Sequence, residues 1–270
     1  MAARDGHGRT ALVTGASAGI GQAFAGLLAE HGYALVITAR RADRLEALAT
    51  DLRTRHGVTV HVVPADLADP AAPARLCALL RERGVTIDLL VNNAGYGVPG
   101  AYARTEWERQ RDFIQVLVTA VAELTHRLLP AMIERRWGRV VNLASLAALV
   151  PAAPGHTLYA ASKAFLVKFS EALALEVRRD GVHVTAVCPG FTQSEFHDVI
   201  GTRAQVSRMP RWMWLDARQV VEEGYAAVMA GRPMVVTGRV NRVLALGAKH
   251  LPGALARAAV ARNARHFRKL

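Results

Sequence analysis

Apolar runs of strand length alternate with amphipathic stretches of helix length almost from the first residue. This alternation constrains the fold more than any single motif does. The spacing predicts strands over 10–14, 34–39, 58–63, 87–91, 139–143 and 182–187. Helices are predicted between them over 19–31, 41–55, 71–83, 105–135 and 159–179. The segment 191–215 breaks the rhythm, and a helix over 217–230 followed by a strand over 234–237 resumes it. Strands this short and continuously apolar belong to a parallel sheet covered on both faces. Repeated βα units with right-handed crossovers then give an α/β, Rossmann-type doubly wound sheet in a single domain. The expected organisation is a catalytic domain over 1–248 with a substrate lid at about 191–215, followed by a basic amphipathic tail over 249–270.

Composition excludes several other classes. Two cysteines, Cys77 and Cys188, stand far apart without C-x-x-C spacing. They read as buried small hydrophobes in a reducing compartment. The first ten residues are polar and lack the apolar core of a secretory signal. The most apolar stretch, 140–154, is interrupted by Asn142, Ser145 and two prolines, so no membrane span is drawn there. The expected location is cytoplasmic. The histidines show no ligand spacing, and no metal is expected. The net charge is +12, and half of it sits in 249–270, where Lys249, Arg257, Arg262, Arg265, Arg268 and Lys269 meet no acid. A weakly basic body with a basic tail suits an anionic cofactor, an acyl carrier or a membrane surface. Nucleic acid is not expected, because no recognition motif accompanies the charge.

Thr14-Gly15-Ala16-Ser17-Ala18-Gly19-Ile20-Gly21 lies between the first predicted strand and helix. Glycines there let the backbone turn tightly beside a pyrophosphate, and the helix N-terminus offers N–H groups and a positive dipole end. A structural turn without a ligand is the bland alternative. At the end of the second strand, Ile37-Thr38-Ala39-Arg40-Arg41 has no acid before Asp43. An acid there would bond a ribose 2′-hydroxyl, whereas arginine accommodates a 2′-phosphate. Arg40 and Arg41 therefore favour NADP over NAD, the alternative being a solvated basic pair.

Further motifs follow in order, and together they resemble the short-chain dehydrogenase/reductase family from residue 10 to about 238. The resemblance is to its broad bacterial NADP-preferring reductases. Thr14–Gly21 is similar to that family's glycine motif. Asp66, before Leu67, resembles the acid at the adenine. Asn92-Asn93-Ala94-Gly95 resembles the motif that closes the fourth strand over the cofactor. Ser145 resembles the serine that orients the substrate carbonyl, and Tyr159-Ala160-Ala161-Ser162-Lys163 the tyrosine–lysine pair. Pro189-Gly190 with Thr192 resembles the loop that holds the nicotinamide carboxamide. The resemblance implies an NADPH-dependent oxidoreductase, a small-molecule substrate and a homo-oligomer, dimer or tetramer.

The chemistry also follows from the residues. Tyr159 and Lys163 are four apart on a predicted helix and emerge on one face. A tyrosine titrates near about 10, and a neighbouring ammonium favours the phenolate. Lowering that value by about three units needs roughly 4 kcal/mol. Tyr159 would then exchange the proton while Ser145 holds the reacting oxygen.

One position departs from the family. Where members carry an asparagine that holds a relay water, this sequence has Leu117, and neither Gln115 nor Thr119 shares its face of a regular helix. A cofactor-binding scaffold with little turnover is the rival function on that account. Phe191, Phe196, Met209, Trp212, Met213 and Trp214 gather in the expected lid of an aromatic-poor chain. They suggest an apolar, lipid-like or ring-bearing substrate, or else a subunit contact. His156 borders this region, more in keeping with a solvated loop.

Overall fold

Aliphatic and β-branched runs become strands here because helices cover the sheet on both sides, so alternate side chains lose water in opposite directions. The computed structural model describes residues 5–152, 154–155, 157–193 and 210–250. Its strands are β1 (Thr10–Thr14), β2 (Ala34–Thr38), β3 (Val60–Val62), β4 (Leu89–Asn92), β5 (Gly138–Leu143), β6 (Val182–Cys188) and β7 (Met234–Val236). Its helices are α1 (Gly19–Glu30), α2 (Ala42–His56), α3 (Ala72–Glu82), α4 (Trp107–Ile114), α5 (Ala120–Glu134), α6 (Thr157–Glu176), α7 (Ala217–Met229) and α8 (Arg239–His250). The strands pair in parallel in the order β3-β2-β1-β4-β5-β6-β7.

The period of two is visible in the core. Ala11, Val13, Leu35, Ile37, Leu89 and Val91 enter one cluster with α1, α2 and α7. Leu12, Val36 and Leu90 enter the other with residues of α3, α5 and α6. The strand order reverses between β1 and β4, which opens a crevice at their carboxyl ends.

A buried polar rung crosses the second face. Asn92 Nδ2 donates to Thr125 Oγ1 at 3.1 Å and to Asn142 Oδ1 at 2.9 Å, and Asn142 Nδ2 donates to Ser170 Oγ at 2.9 Å. Bonds made in a dry core are directional, so this rung fixes α5 and α6 in register with β4 and β5.

Two features were not expected from periodicity. The predicted 105–135 helix is broken by a π-turn over Gln115–Thr119, where the Ala120 N–H bonds the Gln115 carbonyl. A 3.6-residue pattern hides such a turn, because one extra residue shifts the apolar stripe by only part of a turn. The Trp107–Glu134 stretch is also long and apolar enough, by length and composition, to cross a membrane. Here it buries Phe113, Leu117, Leu124 and Met132 in the core. The second unexpected feature is α8, which runs through the expected boundary between 248 and 249. The lid is described at 191–193 and 210–215, and the tail at Lys249 and His250. His156, Phe196, Met209 and residues 251–270 lie outside the described residues.

Candidate active site

The turn after β1 is shaped by what faces it. Gly15 has φ +66°, and a Cβ there would stand 2.8 Å from both Ala94 Cα and Asn93 Nδ2. At Gly21 a Cβ would stand 2.3 Å from the Gly15 carbonyl oxygen. Both glycines are therefore needed for the turn to close against the end of β4. Gly19 and Ile20 open α1, whose N-cap is Ala18, a residue with no side chain able to cap it. The first turn of α1, just after the carboxyl end of β1, thus carries no capping side chain, a setting that favours an anion.

Asn93 has a use that its motif alone does not reveal. Its Nδ2 donates to the Thr14 and Gly15 carbonyls at 2.9 and 3.1 Å. Its backbone N–H and that of Ala94 donate to Thr14 Oγ1, each at 3.0 Å. The side chain is thus committed to holding the glycine turn, and Ala94 and Gly95 continue from it along the crevice. Ser17 Oγ accepts from Arg41 Nη2 at 3.0 Å, which ties the turn to the end of β2. Arg40 beside it is exposed. Asp66 is exposed too, with Oδ1 accepting from the Ala68 N–H at 3.0 Å, while Leu67 is buried.

Two strands away, β5 ends at Leu143 and delivers Ser145. Ser145 Oγ accepts from the Ala147 N–H at 3.1 Å, which leaves its own O–H to be donated. Lys163 reaches the same place from α6: its Nζ donates to the Leu143 carbonyl at 2.5 Å. It is 6 % exposed, and burial brings its ammonium down to about 8. Lys163 Nζ lies 5.7 Å from the centre of the Tyr159 ring, one helical turn earlier. Tyr159 packs against the cluster that contains Leu117, and Leu117 lies beneath Gly95. The π-turn therefore sits directly at this end of the crevice.

From β6, the Pro189 carbonyl accepts from the Leu146 N–H at 2.8 Å, joining the Pro189-Gly190 turn to the residue after Ser145. Thr192 is buried and turns its hydroxyl back onto the Gly190 carbonyl at 3.2 Å. The two ends of the expected lid meet at a neck. The Leu215 N–H donates to the Phe191 carbonyl at 2.8 Å, and the Gln193 N–H to the Leu215 carbonyl at 3.0 Å. The rings of Phe191 and Trp214 stand 5.7 Å apart. Trp212 is exposed. Among the described residues, no cluster of His, Cys, Asp or Glu could hold a metal ion.

Sequence reasoning gave no separate role to the Thr14 hydroxyl, to the Leu143 carbonyl or to Asn241, whose Nδ2 donates to the Thr237 carbonyl at 2.8 Å and whose amide lies against Gly190. The first two act through hydroxyl and backbone contacts that become visible only once strands are neighbours. Asn241 left a trace, as a polar residue at the start of a segment rich in apolar residues.

Residues 9–204 match the family model described as short chain dehydrogenase. An uncharacterized oxidoreductase of Myxococcus xanthus is 43 % identical over 188 residues, which are 69 % of this chain and 73 % of that protein. A short-chain dehydrogenase of Sphingobium yanoikuyae, solved with NADPH, superimposes with a TM-score of 0.78 at 32 % identity, covering 93 % of this chain and 94 % of that one. A short chain dehydrogenase/reductase of Burkholderia phymatum, solved with NAD, gives a TM-score of 0.79 at 25 % identity over 90 % of this chain and 93 % of that one.

Proposed function

The chain belongs to the short chain dehydrogenase family of oxidoreductases, and on that premise we propose that it is an NADP(H)-dependent enzyme interconverting a ketone and a secondary alcohol on an apolar substrate. The observation that carries the chemistry is Lys163. It is a buried ammonium anchored on the Leu143 carbonyl, two residues before Ser145 and one helical turn from Tyr159.

The chain fits a dinucleotide. Its turn has no room for Cβ atoms at Gly15 and Gly21, and the α1 N-terminus lacks a capping side chain. Similarity alone leaves the choice of dinucleotide open, since one solved relative holds NADPH and another NAD. Arg40 and Arg41 favour a 2′-phosphate, and the Ser17–Arg41 bond sets Arg41 toward the glycine turn. Bound in this crevice, a dinucleotide would supply or take the hydride. Tyr159 donates the proton to the substrate oxygen in reduction and removes it in oxidation. Lys163 stabilises the phenolate, and Ser145 donates a hydrogen bond to the same oxygen. Asn93 holds the turn on which Ser17, Ala18, Gly19 and Ile20 would meet the phosphates. Pro189, Gly190 and Thr192 would form the shelf for the carboxamide end.

The apolar substrate rests on Phe191, Trp214 and Trp212 at the described ends of the lid. The basic residues of 249–270 would add an anionic surface or carrier as a secondary partner. Titration of NADPH and NADH into wild type, Arg40→Ala and Arg41→Ala tests the cofactor assignment. Tighter NADPH binding that weakens selectively in the arginine variants is expected. Equal affinity for both cofactors in wild type would overturn the NADP preference.

A further inference from the structure

Asn241 is the single buried residue of α8, at 4 % exposure, while Val243 and Leu246 on the same helix are 70 % and 60 % exposed. An amphipathic helix ordinarily buries an apolar stripe. What α8 sends inward is an amide, and burying an amide is unfavourable unless it is bonded and well fitted. Asn241 Nδ2 donates to the Thr237 carbonyl at 2.8 Å. The rest of the amide lies against Gly190. A Cβ on Gly190 would stand 2.4 Å from Asn241 Oδ1 and 2.5 Å from Nδ2.

The helix that carries Asn241 is itself held in place. The Glu223 carboxylate accepts from the Gly238 N–H at 3.2 Å and pairs with Arg242, whose Nε donates to the Val236 carbonyl at 3.0 Å. Leu215, at the neck of the lid, packs on Gly238, where a Cβ would come within 2.8 Å of it. The first turn of α8 thus touches the Pro189-Gly190 turn, and the glycine just before it touches the lid neck.

We infer that Asn241 is a positioning residue that sets the height of the Pro189-Gly190 turn and so the seat of the nicotinamide end of the cofactor. This draws α8, which lies beyond the residues matched by the family model, into the cofactor site. The inference rests on the dinucleotide reading above. The contacts of Asn241 are with Thr237 and Gly190, not with Arg40, Arg41 or Asp66, so its effect would be confined to the nicotinamide half of the ligand.

The test is calorimetric titration of NADPH and of 2′,5′-ADP, which carries only the adenosine half, into wild type, Asn241→Ala, Gly190→Ala and the double variant. Asn241→Ala is expected to weaken NADPH about tenfold and to leave 2′,5′-ADP unchanged. Gly190→Ala should show the same pattern, because its new methyl pushes the turn off the amide. The double variant should bind NADPH more tightly than Gly190→Ala alone, since alanine at 241 makes room for that methyl. Unchanged NADPH affinity in Asn241→Ala, an equal loss of 2′,5′-ADP, or additive losses in the double variant would overturn the inference. Failure of wild type to bind either NADPH or NADH would overturn the dinucleotide reading and the inference with it.

Discussion

Thr14 and Asn93 are bonded to each other twice across the point where the strand order reverses. The Asn93 N–H donates to Thr14 Oγ1 at 3.0 Å, and Asn93 Nδ2 donates to the Thr14 carbonyl at 2.9 Å. A third bond, to Gly15, extends the clamp into the turn. Replacing Asn93 by alanine removes its two side-chain bonds to the Thr14 and Gly15 carbonyls in a half-buried site. A loss of about 1–3 kcal/mol in urea unfolding is expected, together with weaker dinucleotide binding. An unchanged unfolding midpoint would show that the clamp is not needed.

Lys163 ties pH to both stability and turnover. Burial lowers its ammonium from the ordinary 10.5 to about 8. A lysine whose folded value is depressed destabilises the fold fully below about 8, and relief comes as pH rises from there toward the unfolded value. The shift corresponds to roughly 3 kcal/mol. Lys163→Met should therefore be more stable than wild type at neutral pH, with the gap closing on the alkaline side. Over the same range, kcat/KM for NADPH in carbonyl reduction should fall above about pH 8 as the charge beside Tyr159 is lost. A flat profile to about pH 10 would remove Lys163 from the proton-transfer account.

Leu117 lies in the π-turn, within the apolar cluster against which Tyr159 packs. Leu117→Asn places an amide at the position where the family resemblance implies a relay asparagine. It should raise kcat about tenfold, equivalent to ~1.4 kcal/mol in the barrier, while lowering Tm because a polar group enters an apolar cluster. A drop in both quantities would mean that the leucine belongs to this enzyme's working site.

Cys77 and Cys188 are buried, and burial drives the Cys188 thiol up to about 12. Native protein should resist iodoacetamide near pH 8, and both thiols should react once urea unfolds the chain. Rapid native labelling of Cys188 would show that the β6 end opens in solution.

The doubly wound sheet was legible because strands such as β1, β2 and β4 are almost continuously apolar on both faces. The strands expected at 10–14 and 182–187 follow directly from that pattern, and they are found at Thr10–Thr14 and Val182–Cys188. The glycine turn and the Tyr159–Lys163 spacing were legible because chemistry requires those residue types at those intervals. What stayed hidden depends on contacts between distant segments. The Asn93 side chain serves the glycine turn, the Leu143 carbonyl anchors Lys163, and Asn241 fills the space over Gly190. The π-turn around Leu117 escaped because one extra residue shifts the apolar stripe by only part of a turn.

The most direct measurement is NADPH oxidation with a panel of apolar ketones by wild type and Tyr159→Phe, with NADPH affinity determined for both. The account predicts turnover of at least one ketone by wild type. It also predicts unchanged NADPH binding in the variant and a fall in kcat of about 10²–10⁴-fold, the range expected when a general acid is removed. A Tyr159→Phe variant that binds NADPH and turns over at the wild-type rate would contradict it.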